Sequence, residues 1–555
     1  GSVLLSQKCS ENAYMQDFLN DRIIRSSCFN CPARGGRSGS DIAIADYWGI
    51  NKVAPQLDDN MGVSLILLET PRGAAFFDSL DFSPAMPPVE TTYGQALARN
   101  RSLEFSPSIQ SSYSGHIVDI VSRSIFDGEV IVRDGRILAV RRTSGISPDA
   151  PYIMPGFIDS HVHIESSMLT PAAFAAAVAR HGTIGTVSDP HEIANVLGRE
   201  GVDYMIESGK QTPLKFAWMV PSCVPSTCFE TAGASLNADD VREMLSSGKF
   251  KGLAEMMNFP GVLFGDAEVL AKIKAAKDLG LVIDGHAPGV TGDDARKYVA
   301  AGITTDHEMF DLSQARERIA LGMKVQLREG SAACNLDDLM PLLEDKESEG
   351  QLMFCTDDKY PDELAVGHIN EMAARCIAKG YDLWRVLEAA CVTPIRHYNL
   401  DCGLLQEGDS ADFIVVEDLK SFKVCETWID GTKVGYVTTE RDSVVLNNFN
   451  AKPISNDDLA CKINDKVKVI VATEGQLYTR CEEHETTDED VLKLVVYNRY
   501  NEAKPAVGYI KGFGLKRGAI ASTIAHDSHN IIALGVTDEE IVRSINTLVE
   551  SKGGF

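Results

Sequence analysis

The sequence predicts an α/β protein built on a (β/α)8 TIM barrel, with a small flanking β-domain, an α/β C-terminal domain and an unrelated N-terminal segment. The chain has 555 residues, which at roughly 100–200 residues per domain is enough for several domains. Between about residues 152 and 391, short apolar runs alternate with amphipathic segments in the rhythm of strand–helix units. Polar, reactive side chains follow these runs, as they do at the active face of such barrels.

Residues 1–110 differ in character from the rest of the chain. The segment holds three cysteines: Cys9, Cys28 and Cys31. Two runs have the length and composition of short strands, at 41–46 and 63–68. Residues 84–111 are rich in proline, serine and polar residues, which is typical of a linker. A new domain is therefore expected after this linker.

A small β-unit is predicted at residues 115–152. Three short alternating runs indicate strands, at 117–121, 128–132 and 137–140. Asp134 and Gly135 lie between the last two runs and suit a tight hairpin turn.

The barrel is predicted for residues 153–399. Its eight apolar runs are 153–158, 184–187, 216–220, 252–257, 281–283, 302–305, 324–327 and 352–354. The amphipathic segments between them include 171–180, 267–279, 292–301 and 363–379. Periodicity alone fits a doubly wound sheet equally well. The barrel is favoured because reactive side chains follow most runs, on strand ends that converge at one face of a barrel.

Residues 441–555 are predicted to form a separate C-terminal domain. A strongly helical segment at 538–551 is followed only by a short tail that ends at Phe555. A compact domain rarely ends on a helix that has nothing further to pack it, so this domain is expected to be truncated.

Composition excludes several classes of function. The chain has 53 Lys and Arg against 79 Asp and Glu, for a net charge of −26, which argues against a nucleic-acid partner. Its apolar runs are much shorter than the ~20 residues of a membrane helix, so no membrane association is expected. Thirteen cysteines scattered through apolar stretches indicate a reducing cytoplasmic compartment. A homodimer is expected, because symmetric dimers are the commonest assembly.

Histidines and carboxylates cluster at the predicted strand ends. His161 and His163, at positions i and i+2 of an extended segment, point to the same side and can bind one metal. The other candidates at strand ends are His191, Glu255, His286, His307, Asp357 and Asp358. Each alone has an ordinary structural explanation, such as a helix cap. However, five of the twelve histidines fall at these few positions, which chance explains poorly, and the N/O donors suit Zn, Fe or Mn.

Several motifs in the barrel are specific enough to identify a family. They begin with MPGFIDSHVHIESSM at 154–168 and SDPHEIANV at 188–196. The others are EMMN at 255–258, DGHAPG at 284–289, TDHE at 305–308, REGSA at 328–332 and CTDDK at 355–359. Together they resemble the amidohydrolase superfamily and, within it, the bacterial adenine deaminases.

The resemblance extends from about residue 115 to residue 555. The motif LLQEGDSADF at 404–413 resembles the return of the chain into the small β-domain, which is therefore composed of 115–152 together with 400–440. The motifs GFGLKRGA at 512–519 and HDSHN at 526–530 resemble the C-terminal domain of the same family.

The resemblance implies hydrolytic deamination of adenine to hypoxanthine and ammonia, as in purine salvage, by attack of metal-bound hydroxide on carbon 6. It implies a binuclear transition-metal centre, with Mn(2+) or Fe(2+) expected first and Zn(2+) as a further option. The implied metal ligands are His161 and His163 at one metal, His286 and His307 at the other, and Glu255 as the bridging or binding residue. Asp357 is implied as the metal-binding aspartate of the eighth strand, which also transfers the proton.

Further residues are expected to act on the substrate or to support the ligands. The catalytic candidates besides Asp357 are Glu165, Asp189, His191 and Glu192. The substrate-binding candidates are Asp358, Ser331 and His529. Asp358 also competes with Asp357 for the role of the eighth-strand aspartate. For His526 and His529, a structural turn and a cap over the active site are equal alternatives.

Alternatives to adenine deamination differ in substrate or in class. Glu255 stands where cyclic-amide hydrolases such as dihydroorotase carry a carboxylated lysine, which argues against that group. Another amidohydrolase acting on a different aminopurine or cyclic amide remains the alternative enzyme. An inactive fusion product is the alternative outside the enzymes.

The N-terminal segment carries a resemblance of its own. Its cysteines and the motif DIAIADYWG at 41–49 resemble the C-terminal part of the coenzyme F-420 hydrogenase/dehydrogenase beta-subunit family, over about residues 5–80. In that family such cysteines lie near iron–sulfur centres, but three thiols are one short of a four-thiolate site. The segment either binds an iron–sulfur cluster or is a passenger, as an inactive remnant or a joint between unrelated genes.

Overall fold

The computed structural model describes residues 42–46, 64–68, 110–435, 446–461, 466–473 and 479–555. The chain divides into two compact units, 1–110 and 111–555. In the first unit, β1 (Ile42–Asp46) pairs antiparallel with β2 (Ser64–Leu68), so both runs form strands. The expectations for Cys9, Cys28 and Cys31 lie outside the described residues.

Strands that belong to a flanking sheet precede the barrel. They are β3 (Gln110–Asp119), β4 (Ser124–Arg133), β5 (Arg136–Arg142) and β6 (Tyr152–Met154). β4 and β5 pair antiparallel across Asp134 and Gly135, whose φ angles are 50° and 75°. A two-residue hairpin turn requires this conformation, which confirms the predicted turn. β3 begins earlier than predicted, inside the predicted linker, because its first residues are mostly polar and carry no apolar signal.

Eight parallel strands form the barrel. They are β7 (Phe157–Val162), β8 (Thr183–Ser188), β9 (Lys215–Val220), β10 (Gly252–Met256), β11 (Val282–Gly285), β12 (Thr305–Asp306), β13 (Lys324–Arg328) and β14 (Leu352–Cys355). They pair in the orders β11-β10-β9-β8-β7 and β12-β13-β14. The Asp357 N–H donates to His161 O at 2.9 Å, and the Thr304 N–H donates to Ile283 O at 2.9 Å, which joins the two groups. The predicted TIM barrel is confirmed.

The first predicted barrel run, 153–158, is divided between two sheets. β6 pairs with β3 and β15 (Phe413–Val416) in the flanking sheet, and only β7 belongs to the barrel. Pro155 and Gly156 separate the two strands, because proline offers no N–H to a ladder. At Gly156 the chain passes so close to Ile184 that a Cβ would lie 2.4 Å from its Cγ2.

Helices surround the barrel strands. They are α1 (Pro171–Ala179), α2 (His191–Leu197), α3 (Arg199–Gly209), α4 (Ala238–Ser246), α5 (Phe259–Phe264), α6 (Ala267–Asp278), α7 (Gly292–Ala300), α8 (Leu312–Ala320), α9 (Leu336–Leu339), α10 (Pro361–Val366), α11 (Ile369–Ala378), α12 (Leu383–Leu387) and α13 (Thr393–Tyr398). Short 3-10 turns lie at Ile164–Ser167, Met340–Glu344 and Lys346–Ser348, and a π-helical turn lies at Glu388–Val392.

Local sequence explains where these helices begin and end. Asn237 and Asp240 form a capping box at the start of α4, and the Asp266 side chain accepts backbone N–H groups at the start of α6. The segment predicted as one helix at 363–379 is two, α10 and α11. Gly367 between them is extended, and a Cβ there would lie 2.2 Å from Glu371 Cγ.

The flanking sheet draws strands from both sides of the barrel sequence. After the barrel come β15, β16 (Val424–Ile429) and β17 (Thr432–Lys433). The order in this sheet is β17-β16-β15-β6-β3-β4-β5. Ile117, Val130 and Phe413 are buried together in its core, so the two chain segments share one hydrophobic cluster.

A six-stranded sheet and one long helix form the C-terminal part. The strands are β18 (Val467–Val471), β19 (Arg480–His484), β20 (Leu492–Tyr497), β21 (Ala506–Lys511), β22 (Ala519–Ser522) and β23 (Ile531–Gly535), in the order β19-β18-β21-β20-β23-β22. A 3-10 turn at Asn456–Leu459 precedes them. The helix α14 (Asp538–Ser551) has the predicted bounds and packs Ile541, Ile545 and Leu548 against the sheet. None of the helices in the described ranges has the length and apolar character to cross a membrane.

Candidate active site

The structure brings the six predicted metal ligands together at one end of the barrel. They lie in or just after β7, β10, β11, β12 and β14, at the carboxyl ends of these strands. The six residues are His161, His163, Glu255, His286, His307 and Asp357. All are buried except His286, whose side chain is 26% exposed. Each fills its position because parallel barrel strands direct their carboxyl ends to one face.

Glu255 lies between two pairs of histidines. Its Oε1 is 3.2 Å from His163 Nε2 and 3.8 Å from His161 Nε2. Its Oε2 is 2.8 Å from His286 Nδ1 and 3.3 Å from His307 Nε2. One oxygen therefore faces each pair, which is the arrangement of a carboxylate able to bridge two metal ions.

Asp357 completes the first group of donors. Its Oδ1 is 3.1 Å from His163 Nε2 and 3.5 Å from His161 Nε2, and the two imidazoles approach each other to 3.1 Å between their Nε2 atoms. His161, His163 and Asp357 each offer one donor atom, and these atoms lie within 4.8 Å of one another. The set Glu255, His161 and His307 meets the same limit.

The donor set fits a divalent metal. Neither ring nitrogen of His307 has a hydrogen-bond partner in the described part of the chain, although Nε2 lies 3.3 Å from Glu255. Buried polar atoms without partners are unfavourable unless something else satisfies them. Imidazole and carboxylate donors that converge in this way suit Zn, Fe or Mn.

The charges at this site depend on one another. Burial alone would raise the pKa of the Glu255 carboxyl, but His286, His163 and His307 together hold it well below its usual range. Burial would likewise raise the pKa of Asp357, but hydrogen bonds from His161 and His163 keep that pKa well below its usual range. Both carboxylates are therefore ionised and available to a cation.

Arg328 and Glu308 belong to the site, although no role was predicted for either residue from the sequence. The Arg328 guanidinium donates to Asp357 Oδ2 at 2.8 Å and also to Glu308. Glu308 Oε1 lies 3.3 Å from His307 Nε2. Their signal in the sequence was their position at or just after the ends of β12 and β13, within the motifs TDHE at 305–308 and REGSA at 328–332.

The segment after β8 supplies residues that contact the predicted metal ligands. Asp189 Oδ2 is 2.9 Å from His191 Nδ1, so the carboxylate fixes the orientation of this imidazole. The same His191 Nδ1 lies 3.6 Å from Glu255 Oε1. The backbone oxygen of Asp189 accepts a hydrogen bond from His163 Nδ1 at 3.0 Å. Asp189 therefore orients both histidines.

Glu165 and Glu192 are buried near this segment and differ in their partners. Glu165 Oε1 accepts the Ile193 N–H at 3.0 Å, which ties the 3-10 turn after β7 to α2, and burial raises the pKa of Glu165. Glu192 is hydrogen-bonded by both His526 and His529. Burial would raise the pKa of Glu192, but His191, His526 and His529 hold it well below its usual range.

The predicted substrate-binding residues have different surroundings. Asp358 borders the cavity, and burial together with Asp357 raises its pKa. The Ser331 hydroxyl donates to Glu363 at 2.8 Å, away from the cavity, while its N–H donates to Asp358 O at 2.7 Å. His529 contacts the site through Glu192.

A cavity of about 210 Å³ lies among the histidines and carboxylates of the site, with His163, Glu255 and Asp357 among its lining residues. Beyond the predicted ligands, its walls include Met257, Ala332, Tyr360, His526 and Asp527. The last two come from the C-terminal domain, on the loop at 523–530 between β22 and β23. The site is thus built from the barrel and the C-terminal domain together.

Comparisons with known proteins agree with this site. The amidohydrolase family model matches residues 152–434, and the adenine deaminase C-terminal domain model matches residues 468–555. The adenine deaminase of Salinibacter ruber is 49% identical over 461 residues, covering 80% of this chain and 84% of the relative. That of Parabacteroides distasonis is 49% identical over 456 residues, covering 80% and 83%. That of Methanosarcina mazei is 46% identical over 471 residues, covering 80% and 84%.

The predicted resemblance to the adenine deaminases is confirmed by these relatives, and the predicted hydrolase class is confirmed by the amidohydrolase match over the barrel. The chain therefore belongs to the amidohydrolase family.

Proposed function

We propose that the chain catalyses the hydrolytic deamination of adenine to hypoxanthine and ammonia. The observation that carries the proposal is the position of Glu255, which directs one carboxylate oxygen to each of two histidine pairs. Relatives named as adenine deaminases support adenine as the substrate. In this reaction a C–O bond forms at carbon 6, and the bond from carbon 6 to the exocyclic nitrogen breaks. That nitrogen leaves as ammonia.

Membership of the amidohydrolase family implies a divalent metal cofactor, and the donor set fits one. We assign His161, His163 and Asp357 to one ion, His286 and His307 to a second, and Glu255 to both. Mn(2+) or Fe(2+) is the expected metal, with Zn(2+) as the alternative, because the same donors accept all three. When bound, such ions lower the pKa of coordinated water and make hydroxide available near neutral pH.

Asp357 is the proposed proton carrier. Arg328 holds its Oδ2, while Oδ1 faces His161 and His163. A carboxylate fixed in this way can accept a proton from the attacking water and deliver it to the departing nitrogen. The arrangement favours Asp357 over Asp358 for this role, because Asp358 is turned towards the Ser166 hydroxyl, which donates to it.

The groups around α2 are proposed to protonate and orient the ring. Asp189 fixes His191, which places an imidazole on the cavity wall as the donor to a ring nitrogen. The segment that carries His191 is held by Glu165 and by Glu192, which is hydrogen-bonded to His529. Asp358 is proposed to bind the substrate. Ser331 is proposed to position Asp358 through its backbone N–H.

We further propose the domain boundaries 1–110, 115–152 with 400–440, 153–399 and 441–555. The seven-stranded sheet, which combines strands from both flanking segments, supports the composite domain. We also propose a homodimer. We propose a reducing cytoplasmic compartment, because ten cysteines in the described ranges are free thiols.

The test is an assay of the full chain, purified with added Mn(2+), for hypoxanthine and ammonia formed from adenine. The matched control is the His161→Ala/His163→Ala double variant. We expect equal yields of both products from the unsubstituted protein and none from the variant. Two bound metal ions without adenine turnover would contradict adenine as the substrate. Absence of both turnover and metal would contradict the assignment of the site.

A further inference from the structure

The loop at residues 523–530 extends from the C-terminal sheet into the active-site cavity. Two of its side chains, His526 and Asp527, line this cavity beside the predicted metal ligands. Asp527 Oδ1 lies 3.4 Å from His191 Nε2. The Asp527 side chain is 23% exposed, so a ligand in the cavity has access to it.

Hydrogen bonds to both domains fix this loop. The Tyr500 hydroxyl donates to Ser528 O at 2.6 Å within the C-terminal domain. The Asn530 amide donates to Thr231 O at 2.8 Å in the loop that follows β9. Two histidines of the loop bond the buried Glu192 of α2. These hydrogen bonds of the loop therefore fix the position of Asp527 in the cavity wall.

We propose that the Asp527 carboxylate accepts a hydrogen bond from the imidazole N–H of an unsubstituted purine base, and so selects free bases over nucleosides. The inference rests on the proposed function. A free purine base carries a hydrogen on one nitrogen of its five-membered ring, whereas a nucleoside carries a sugar carbon there. An ionised aspartate offers only acceptors, so it pairs with the first and not with the second.

The position of Asp527 relative to Glu255 supports this selection. The His191 ring lies between them, with Nδ1 at 3.6 Å from Glu255 and Nε2 at 3.4 Å from Asp527. Asp527 and Glu255 thus face opposite nitrogens of the His191 ring. Carbon 6 and N9 lie on opposite sides of a purine, so a base that presents carbon 6 to these ligands can offer its N9–H to Asp527.

The test compares Asp527→Ala and Asp527→Asn with the unsubstituted full chain. The substrates are adenine, 7-methyladenine and 9-methyladenine, since each methyl group blocks one position of the N–H. We would measure kcat and KM for each base and also its equilibrium binding. Glu502→Gln is the matched control, because Glu502 forms an exposed ion pair with Lys452 in the same domain.

We expect Asp527→Ala to lower kcat/KM for adenine by about tenfold or more, mainly through KM. The preference for adenine over at least one methylated base should fall by a similar factor, with a parallel loss in binding. Asp527→Asn, which keeps one acceptor oxygen, should show a smaller change. The ratio of two kcat/KM values in one sample does not depend on the folded fraction, so partial misfolding does not obscure the result.

An unchanged preference in both variants would overturn the inference and leave the proposed function intact. His191, Glu192 and Asp527 also lie close enough to hold a metal ion. Loss of a bound metal from Asp527→Ala would therefore overturn the inference, since the carboxylate would then be a ligand. Absence of adenine turnover and binding by the unsubstituted protein would overturn both the inference and the proposed function.

Discussion

Arg328 binds Asp357 on the side opposite His161 and His163, which lie in and just after β7. Its guanidinium donates to Oδ2 at 2.8 Å, while Oδ1 lies 3.1 Å from His163 Nε2. Both residues are buried, at 3% and 6% exposure. One oxygen of the proposed proton carrier is therefore fixed by a permanent charge, and the other faces the two histidines proposed as metal ligands. The same guanidinium also bonds Glu308, which lies beside His307.

Replacement of Arg328 should reduce turnover more than metal binding. In Arg328→Lys the ammonium cannot hold Asp357 and Glu308 in one planar fork, so kcat should fall by about 10²-fold. Metal content should change little, because all six proposed ligands remain. Steady-state kinetics and elemental analysis test this. The control is Arg316→Lys, because Arg316 forms an exposed ion pair with Asp345. A kcat within about twofold of the unsubstituted value in both variants would refute the role of Arg328.

Glu255→Gln should remove metal and lower stability. The amide keeps the size of the side chain but loses the charge that faces four histidines, so bound metal per chain should fall. The unfolding temperature should drop with it, because a ligand that binds only the folded state stabilises that state. Metal analysis and thermal unfolding measure both effects. The control is Glu207→Gln, at an exposed ion pair with Lys210, which should change neither metal content nor unfolding temperature. Full metal content in Glu255→Gln would argue against a bridging carboxylate.

Gly156 should tolerate no side chain. An added Cβ would meet Ile184 Cγ2 at 2.4 Å, where β7 begins between the barrel and the flanking sheet. Gly156→Ala should therefore lower the free energy of unfolding by about 1–3 kcal/mol. Gly508→Ala, where a Cβ meets nothing within 4 Å, is the matched control and should stay within about 0.5 kcal/mol. Denaturant unfolding compares the two, and equal stabilities would contradict the close approach.

His181 should make the protein sensitive to mild acid. Burial lowers its pKa from 6.5 to about 4, and its Nε2 lies 2.9 Å from Leu364 O. As pH falls from 6.5 towards 4, the unfolded chain takes up a proton that the folded chain does not, so stability present above pH 6.5 is lost in this window.

The His181→Gln variant keeps a donor for Leu364 but cannot titrate. Its unfolding temperature should therefore fall less than that of the unsubstituted protein between about pH 7 and about pH 5. Acid effects on the metal ligands are common to both proteins and cancel in the comparison. Identical slopes in the two proteins would rule out the contribution of His181.

The strands and the placement of the candidate ligands at one face were predictable from the sequence for the same reason. Buried parallel strands are continuous apolar runs, and the residues directly after them meet at one face, so His161, Glu255 and His307 were identified from order alone. The apolar runs did not predict the ends of strands that finish in polar residues. β11 and β12 include Asp284 and Asp306, which an apolar pattern excludes.

Contacts between distant segments were not predictable. Arg328 meets Asp357 only because β13 and β14 are neighbours with matched register, and the strand pattern does not fix the rotamer that joins them. His526 and Glu192 are 334 residues apart, and no local pattern connects them. The position of Asp527 in the cavity follows from how the C-terminal sheet packs on the barrel, which periodicity does not encode.

The most direct test of the account is a metal titration of the apoprotein with hypoxanthine formation from adenine as the readout. The full chain would be stripped of metal, Mn(2+) would be added stepwise, and bound metal and rate would be measured at each step. Because Glu255 faces two histidine pairs, we expect the rate to reach its plateau at two ions per chain. A plateau at one ion would contradict the binuclear centre. Absence of hypoxanthine at full metal loading would contradict adenine deamination itself.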